Sequence, residues 1–345
     1  MKVFERIKLA YQQNLPFVVY RKSNKSTVSG FFQKTDELFY MGDFSNNGFV
    51  FAPFDNQHKG ILIPENQSEF VQEKIVFNTE SDVKTGFKTD FSSKENHIKL
   101  VEKGVEAIHQ NQFNKVVLSR KEVVELDSFD LENTYKRLLQ NYPNAFVYVW
   151  FHPKVGLWLG ATPETLVKIN NGQFETMSLA GTQPYKNSVV VNWNQKEIDE
   201  QQIVTDYIVS NLQSSVESLE IGKVETVKAG NLLHLKTKIT GELKTQNSKL
   251  ITSILHPTPA VCGMPLETSK KFILENENYN RSFYTGFLGE LNLDNKSELY
   301  VNLRCMEIEE NKASIYIGGG ITKDSNPEKE WEETIAKAKV MKKVL

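Results

Sequence analysis

Short apolar runs separated by turn-forming residues occupy most of this chain and restrict the folds open to it. In roughly the first 90 residues, runs such as PFVVYRK and GFVFAPF alternate with segments rich in Ser, Asn and Gly, which is typical of short strands and turns. Later runs predict further hairpins, one of them turning at Asn170, Asn171 and Gly172. Hairpins interspersed with helices, rather than a regular alternation of strand and helix, predict an α+β fold of large, mostly antiparallel sheets packed with helices.

The helices are predicted from apolar residues at helical spacing and from capping signals. Pro327, preceded by Ser325 or Asn326 as the cap, marks the start of the last helix. The other predicted helices span residues 96–110, 131–142, 196–212 and 269–277. A polar stretch at residues 78–96 is predicted to be a surface connection.

Charge and composition exclude several classes of protein. The 41 basic and 43 acidic residues nearly cancel and form no basic stripe, which argues against a nucleic-acid-binding protein. The charged segment MKVFERIKLAYQQ lacks the pattern of a signal peptide, and no apolar run reaches membrane-spanning length. The two cysteines cannot form a disulfide framework and fit a reduced setting. We therefore expect a cytoplasmic globular enzyme that binds neither membrane nor nucleic acid.

Two acidic pairs with the same spacing point to a metal site. Glu197 and Glu200, like Glu330 and Glu333, lie three residues apart near the start of a predicted helix, so each pair shares one helical face. Apolar residues follow on the same face of each helix: Ile203, Val204 and Tyr207 in the first, and Val340, Met341 and Val344 in the second. Inward carboxylates are costly unless neutralised, and a hard cation such as Mg²⁺ is the simplest partner. A single pair at this spacing is more often a solvated helix face, so the hypothesis depends on there being two.

Nine short blocks, taken in order, resemble the chorismate-utilising enzymes, a superfamily that includes isochorismate synthases, salicylate synthases, anthranilate synthase component I and aminodeoxychorismate synthases. The blocks are KVVLSR (115–120), GATPE (160–164), LAGT (179–182), KEIDEQ (196–201), HPTPAVCGMP (256–265), RSFYTGFLG (281–289), LRCMEI (303–308), IGGGI (317–321) and SNPEKEWEET (325–334). The resemblance covers roughly residues 95–345. Residues 96–345 are therefore predicted to be the chorismate-binding catalytic region, and residues 1–95 a divergent, strand-rich part of the same domain.

The resemblance implies Mg²⁺-dependent chemistry on chorismate. Glu200 and Glu333 match the family's direct metal ligands, whereas Glu197 and Glu330 match residues that hold the metal's waters. The metal would screen the ring carboxylate of the substrate and fix its position.

Lys115 and Glu164 match the family's base and acid. A lysine takes a proton from water only in its neutral form, which burial with few counter-charges favours, and Glu164 needs a raised pKa to protonate the departing C4 hydroxyl. Water activated by Lys115 would attack C2 of chorismate as the C4 hydroxyl leaves. The alternatives weighed are a Lys115 that reaches solvent from an edge strand, and a Glu164 that caps a turn.

Other blocks carry residues that the resemblance assigns to substrate binding. Arg304 and Tyr284 match positions that hold the enolpyruvyl carboxylate, Gly181 and Thr182 border the ring carboxylate, and His256 contacts the substrate. Backbone N–H groups of three consecutive glycines would reach the same anion: Gly318, Gly319 and Gly320. A lone histidine, His256 or His234, is more often structural, so that alternative stays open.

The branch of the family follows from a few positions. Lys115 indicates addition of water, because ammonia-using members usually carry Gln there, and Ala180 cannot form the covalent adduct of a nucleophilic Lys. The block HPTPAVCGMP looks more like that of isochorismate synthases than that of anthranilate synthases. Together these features predict an isochorismate synthase, a monomer without a glutaminase subunit, that serves menaquinone or siderophore synthesis. Salicylate synthase is the alternative function. The chain departs from the family at Gln183, Gln201 and Met306, where Arg, His and a small residue are usual.

A catalytically silent relative, kept as a binding protein, is the alternative from another class. Such a protein is expected to lose the base, the acid or one of the acidic pairs. All six residues are present: Lys115, Glu164, Glu197, Glu200, Glu330 and Glu333. The sequence therefore favours an active enzyme.

Overall fold

The computed structural model describes residues 2–42, 45–75, 91–186, 188–229, 232–244 and 248–345. Most of the connection predicted at residues 78–96 lies outside these residues, and a helix already occupies 91–96. No helix among the described residues is long and apolar enough to cross a membrane.

Eighteen strands lie within the described residues and form two sheets of nine strands each. In chain order they are β1 (Phe17–Arg21), β2 (Thr27–Gln33), β3 (Phe39–Tyr40), β4 (Gly48–Ala52), β5 (Ile61–Pro64), β6 (Ser68–Lys74), β7 (Lys115–Glu125), β8 (Phe146–His152), β9 (Gly156–Thr162), β10 (Thr165–Asn170), β11 (Gln173–Pro184), β12 (Val216–Ala229), β13 (Leu232–Leu243), β14 (Gly263–Met264), β15 (Phe287–Leu293), β16 (Lys296–Val301), β17 (Cys305–Glu309) and β18 (Lys312–Ile321). The first sheet has the order β14-β7-β18-β17-β9-β8-β1-β2-β6, and the second β12-β13-β11-β10-β16-β15-β4-β5-β3.

Seven α-helices lie among the described residues. They are α1 (Val3–Gln12), α2 (Phe91–His109), α3 (Leu131–Asn141), α4 (Gln195–Leu212), α5 (Ser248–Leu255), α6 (Leu266–Asn276) and α7 (Pro327–Lys342), with one 3-10 turn at Glu65–Gln67. The prediction missed α1 and α5. In α1 the buried residues Val3, Ile7 and Ala10 do follow helical spacing, so the signal was present among the strand-like runs.

The two sheets pack face to face through a layer of aromatic side chains. Tyr148 and Trp150 of β8 and Trp158 of β9 contact Phe51 of β4 across the interface. Strand β8 is buried throughout because its alternate residues, such as Val147 and Val149, face the opposite side of the sheet. The molecule is thus built of two sheets back to back.

Helices cover the outer faces of both sheets. Residues of α1, α3 and α7 share one buried cluster with the first sheet, and residues of α4 and α5 share another with the second. A smaller cluster joins α2 and α6 to β7. All strand pairings between the described residues are antiparallel, so the prediction of an α+β fold with large antiparallel sheets is confirmed.

Candidate active site

A cavity of about 810 Å³, including its open mouth, lies where α4 and α7 meet the glycine-rich strand β18. Most of the residues that the sequence selected line it: Glu164, Gly181, Thr182, Glu200, Tyr284, Arg304, Gly318, Gly319, Gly320 and Glu333. The remaining selected residues are Lys115, Glu197, Glu330 and His256, and none of them lines this cavity. The structure therefore brings together residues that span much of the chain.

Lys115 lies behind the glycine strand, within reach of the cavity. Its side chain is fully buried and its Nζ lies 3.1 Å from Oε1 of Glu200. A Cβ on Gly320 would stand 2.3 Å from that oxygen and 3.1 Å from Cε of Lys115, so only glycine leaves room for the pair. Among the described residues, no acceptor meets hydrogen-bond geometry at Nζ. Its burial excludes the alternative of a lysine that reaches solvent from an edge strand.

Glu164 is a buried carboxyl group that lines the same cavity. Its exposed fraction is 4%. Burial raises its pKa to about 8, although the nearby charges of Lys115, Arg304 and Lys337 oppose the shift. The group is therefore protonated at neutral pH and can donate a proton.

Three of the predicted metal-site acids each pair with a lysine. Glu200 pairs with Lys115, Glu333 with Lys337 at 2.7 Å, and Glu330 with Lys196 at 2.6 Å. Burial raises the pKa of Glu330, as does the neighbouring Glu333. For Glu200 the burial effect is outweighed by Lys115, Lys196 and Lys337, which lower its pKa. Glu197 instead accepts a hydrogen bond from the backbone N–H of Asn194 at the start of α4.

The carboxylates of the predicted metal site suit a hard cation, but they do not lie close enough together to form a complete metal site. Among the described residues, no three His, Cys, Asp or Glu side chains are close enough together to hold a metal ion. Glu200 and Glu333 both border the cavity, and a Cβ on Gly319 would lie 3.5 Å from Oε2 of Glu330 and 3.6 Å from Oε1 of Glu333. Carboxylate oxygens are the ligands that Mg²⁺ prefers. A bound cation would have to displace the lysine partners.

The buried stripe of α4 is offset from the predicted one. Residues 203 and 207 are only half-buried, and the buried residues are Gln201, Val204, Thr205, Ile208 and Leu212. Nε2 of Gln201 lies 3.0 Å from Ser178 Oγ on β11 and 2.7 Å from Thr237 Oγ1 on β13. These contacts hold α4 against the sheet and leave Glu200 at the edge of the stripe, facing the cavity. In α7 the predicted apolar residues Val340, Met341 and Val344 are buried.

Arg304 forms a cationic wall of the cavity and has no carboxylate partner among the described residues. Its two terminal nitrogens donate to the carbonyl of Ala229 at 2.9 Å and to Nε2 of His234 at 2.8 Å. Burial lowers its pKa to about 10, so the guanidinium remains charged at neutral pH. A half-buried cation without a carboxylate partner in the described part of the chain is suited to binding an anion.

His234, a histidine whose sequence context left a structural role open, orients Arg304. Its Nδ1 lies 3.0 Å from the carbonyl oxygen of Gly181, which can only accept, so Nδ1 carries the hydrogen. Nε2 is therefore bare and accepts from Arg304. Burial and the Arg304 charge hold the pKa of His234 well below its usual value. The selected histidine, His256, instead packs its ring against Phe287 with centroids 5.0 Å apart, so the structure does not bring it to the cavity.

Lys337 is a second residue that sequence reasoning missed. It lines the cavity, pairs with Glu333 and donates from Nζ to the carbonyl of Gly318 at 2.9 Å. Its position four residues after Glu333 was the available signal. Of the other departures from the family, Gln183 donates to the carbonyl of Asn192 at 3.0 Å, and Met306 is buried in the core away from the cavity lining.

Comparisons with known proteins point to one family. Residues 55–345 match the family described as chorismate binding enzyme. The isochorismate synthase DhbC of Bacillus subtilis (strain 168) is 30% identical over 70% of this chain and 65% of its own length, somewhat less than two thirds of that relative. The isochorismate synthase EntC of Escherichia coli (strain K12) is 26% identical over 91% of this chain and 90% of its own length.

Two solved structures share the fold. One is a crystal structure of a protein described as a 2,3-dihydroxybenzoate-specific isochorismate synthase, DhbC from Bacillus anthracis, with a TM-score of 0.82 and 25% identity over 98% of this chain and 99% of that one. The other, the menaquinone-specific isochorismate synthase MenF from Escherichia coli, has a TM-score of 0.83 and 20% identity over 100% of this chain and 91% of that one. At that identity, the second likeness concerns the fold alone.

Proposed function

Because the chain belongs to the chorismate binding enzyme family, we propose that it is an isochorismate synthase, which converts chorismate to isochorismate with Mg²⁺ as its cofactor. The observation that carries the proposal is Glu164, a buried carboxyl group whose pKa is raised to about 8. It lines the same cavity as Arg304, a cation that has no carboxylate partner among the residues that the structure describes. A neutral acid next to an anion-binding cation fits the protonation of a leaving hydroxyl on an anionic substrate. The relatives named isochorismate synthases support the same reaction.

The proposed step exchanges one hydroxyl for another. Lys115 takes a proton from water, and the oxygen forms a bond to C2 of chorismate. The ring double bonds shift, the C4–oxygen bond breaks, and the departing hydroxyl takes the proton of Glu164 to leave as water. The full burial of Lys115 behind the glycine strand, within reach of the cavity, supports its assignment as the base.

Substrate binding is assigned to the cationic and glycine-lined walls. Arg304, oriented by His234, would bind the enolpyruvyl carboxylate, and the hydroxyl of Tyr284 lies close to Gly318 on the same wall. Gly181 and Thr182 would border the ring carboxylate. The absence of Cβ atoms on the glycine strand lets an anion approach the backbone N–H groups.

Glu200 and Glu333 are assigned as the residues that would hold Mg²⁺, with Glu197 and Glu330 holding its waters. The cation would screen the ring carboxylate and so favour its binding beside other acids. Glu200 and Glu333 border the cavity, which supports this assignment. Lys115 and Lys337, their present partners, would then be released toward the substrate.

The test is chromatographic analysis of the products from chorismate, with and without Mg²⁺. We expect isochorismate only with Mg²⁺, and no change on adding ammonium or glutamine. Lys115→Gln should abolish turnover and leave chorismate binding largely intact, whereas the matched variant Lys121→Gln, an exposed lysine on the same strand, should behave like the parent.

Other products would redirect the proposal. Salicylate with pyruvate would move the chain to the salicylate synthase branch, and no turnover would favour a silent relative. Near-normal turnover by Lys115→Gln would remove that residue from the mechanism. Relatives specific for 2,3-dihydroxybenzoate and for menaquinone both occur among the similar proteins, so siderophore and menaquinone pathways are both compatible with the proposal.

A further inference from the structure

A second and larger cavity adjoins the candidate active site. It measures about 3020 Å³, including the solvent at its mouth, and lies between the opposite face of α7 and strands β10, β11 and β13. Pro163, Leu179 and Arg304 line both cavities. Arg304 therefore stands at the boundary between the two spaces.

The lining of this second cavity is strongly basic. Among the described residues that line it, the cations are Lys168, Lys228, Lys236, Arg304, Lys339, Lys342 and Lys343. Glu175 is the one acid among the described residues that line this cavity, and it is paired with Lys238 at 2.7 Å. The chain as a whole carries a net charge of −2, so the basic wall is a local concentration of charge and not a reflection of composition.

Some of these cations are already engaged by protein groups. Lys168 lies 3.2 Å from Glu298, and Lys342 pairs with Glu122. Lys228 lies 3.5 Å from the ring centroid of Tyr185.

Three lysines remain: Lys236 of β13, Lys339 of α7 and Lys343, the residue that directly follows α7. None of them has an ion-pair partner among the described residues. Glu225, which opposes Lys236 in the strand register, does not line the cavity. Unpaired ammonium groups around a concave surface produce a positive potential that low-dielectric walls focus toward the interior.

We propose that this cavity is an anion-binding antechamber that concentrates the dianionic substrate beside Arg304 before it enters the active site. The proposal rests on the proposed function, because it takes its ligand from that reaction. Electrostatic steering of this kind raises association rates by roughly 10- to 1,000-fold at low ionic strength and fades as salt screens the charges. None of the three lysines lines the candidate active site, so they should act on association rather than on chemistry.

The test compares two triple variants of equal charge change in the Mg²⁺-loaded enzyme. Lys236→Gln, Lys339→Gln and Lys343→Gln together remove the unpaired cations of the antechamber. The matched control replaces three exposed lysines that line neither cavity: Lys8→Gln, Lys59→Gln and Lys296→Gln. Stopped-flow tryptophan fluorescence would give the association rate of chorismate across a range of ionic strength, with kcat and kcat/KM measured in parallel.

We expect the antechamber variant to associate several-fold more slowly than the control at low salt and to converge with it at high salt, with kcat nearly unchanged. Equal rates and equal salt slopes in both variants would overturn the antechamber while leaving the reaction intact. Lysine-dependent association of chorismate without turnover would support the antechamber and overturn the proposed function. No association of chorismate with the parent protein would overturn both.

Discussion

At the scale of single residues, Glu164 shows how burial makes a carboxyl group able to donate a proton at neutral pH. The same carboxyl group in water would be ionised at neutral pH, and its removal from solvent raises its pKa to about 8 against three nearby cations. A group with this property can donate a proton where an exposed glutamate could not. The energetic cost falls on the folded state, because the buried carboxyl group must keep its proton at neutral pH, where in water it would ionise.

Glu164→Gln should reduce the forward rate by roughly 10²- to 10⁴-fold, because the amide cannot supply the proton. In the parent, the rate should fall as pH rises through about 8, where the acid loses its proton. Steady-state kinetics over this pH range would measure both effects. A rate within a few-fold of the parent would point to another acid.

The same variant makes a stability prediction with a defined sign. Because the folded-state pKa of about 8 exceeds the ordinary value of 4.5, the contribution of Glu164 to stability is fully present below pH 4.5 and is lost as pH rises through 8. Denaturant unfolding of Glu164→Gln should therefore lack this pH dependence. A parallel pH dependence in both proteins would contradict the raised pKa.

At the scale of elements, helices α4 and α7 carry the predicted metal-site acids, and lysines on the same two helices pair with some of these acids. Glu333 lies in the second turn of α7 with Lys337 one turn beyond, and Glu330 reaches Lys196 on α4 at 2.6 Å. The Lys196–Glu330 ion pair thus joins the two helices by charge. The lysines offset part of the negative charge that these acids bring to the two helices.

Glu333→Ala should raise the Mg²⁺ concentration needed for half-maximal rate, because it removes a predicted ligand. Its neighbour Glu332 is exposed, so Glu332→Ala is the matched control and should leave the metal dependence unchanged. Titration of the rate with Mg²⁺ would separate the two variants. The same metal dependence in both would refute the assigned ligand role.

Gln201→Leu should destabilise the protein and disturb the position of Glu200. The substitution leaves the buried hydroxyls of Ser178 and Thr237 without their amide donor, a loss of about 1–3 kcal/mol in the free energy of unfolding. Gln202→Leu, which replaces an exposed amide on the same turn, is the control. Denaturant unfolding would measure the difference, and equal stabilities would show that the hydroxyl contacts contribute little.

At the scale of the whole molecule, both sheets contain strands from the two ends of the chain. Strand β1 pairs with β8 in the first sheet, and β4 pairs with β15 in the second. The strand-rich segment before residue 96 therefore shares each sheet with the later region. The boundary predicted between residues 1–95 and 96–345 stays a prediction. It concerns where the sequence diverges from the family and does not separate two folding units.

We expect the protein to unfold in one cooperative transition, because the aromatic layer between the sheets draws on both regions. Calorimetry and tryptophan fluorescence should give coincident melting curves. Trp150→Ala, which opens a cavity in that layer, should lower the free energy of unfolding by roughly 3–5 kcal/mol and shift the whole transition. A separate early transition would contradict a shared core.

Features that depend on local spacing and local backbone chemistry could be predicted from the amino-acid sequence. The acidic pairs lie on helices as predicted, Asn326 caps α7 before Pro327, and the blocks that resemble the family supplied most of the cavity lining. It missed α1 and α5, favoured His256 over His234, and placed the buried stripe of α4 one residue away from Gln201.

Tertiary structure alone decided the contacts between residues distant in the chain. Lys115 meets Glu200, and Arg304 meets His234 across 70 residues, only because β7, β13 and α4 converge on one cavity. The pKa of Glu164 depends on its burial and on charges from other elements. The basic second cavity exists because particular faces of α7 and β13 lie opposite each other. Charge–charge interactions and burial depend on where residues lie in space, so no local sequence pattern predicts their combined effect on a site.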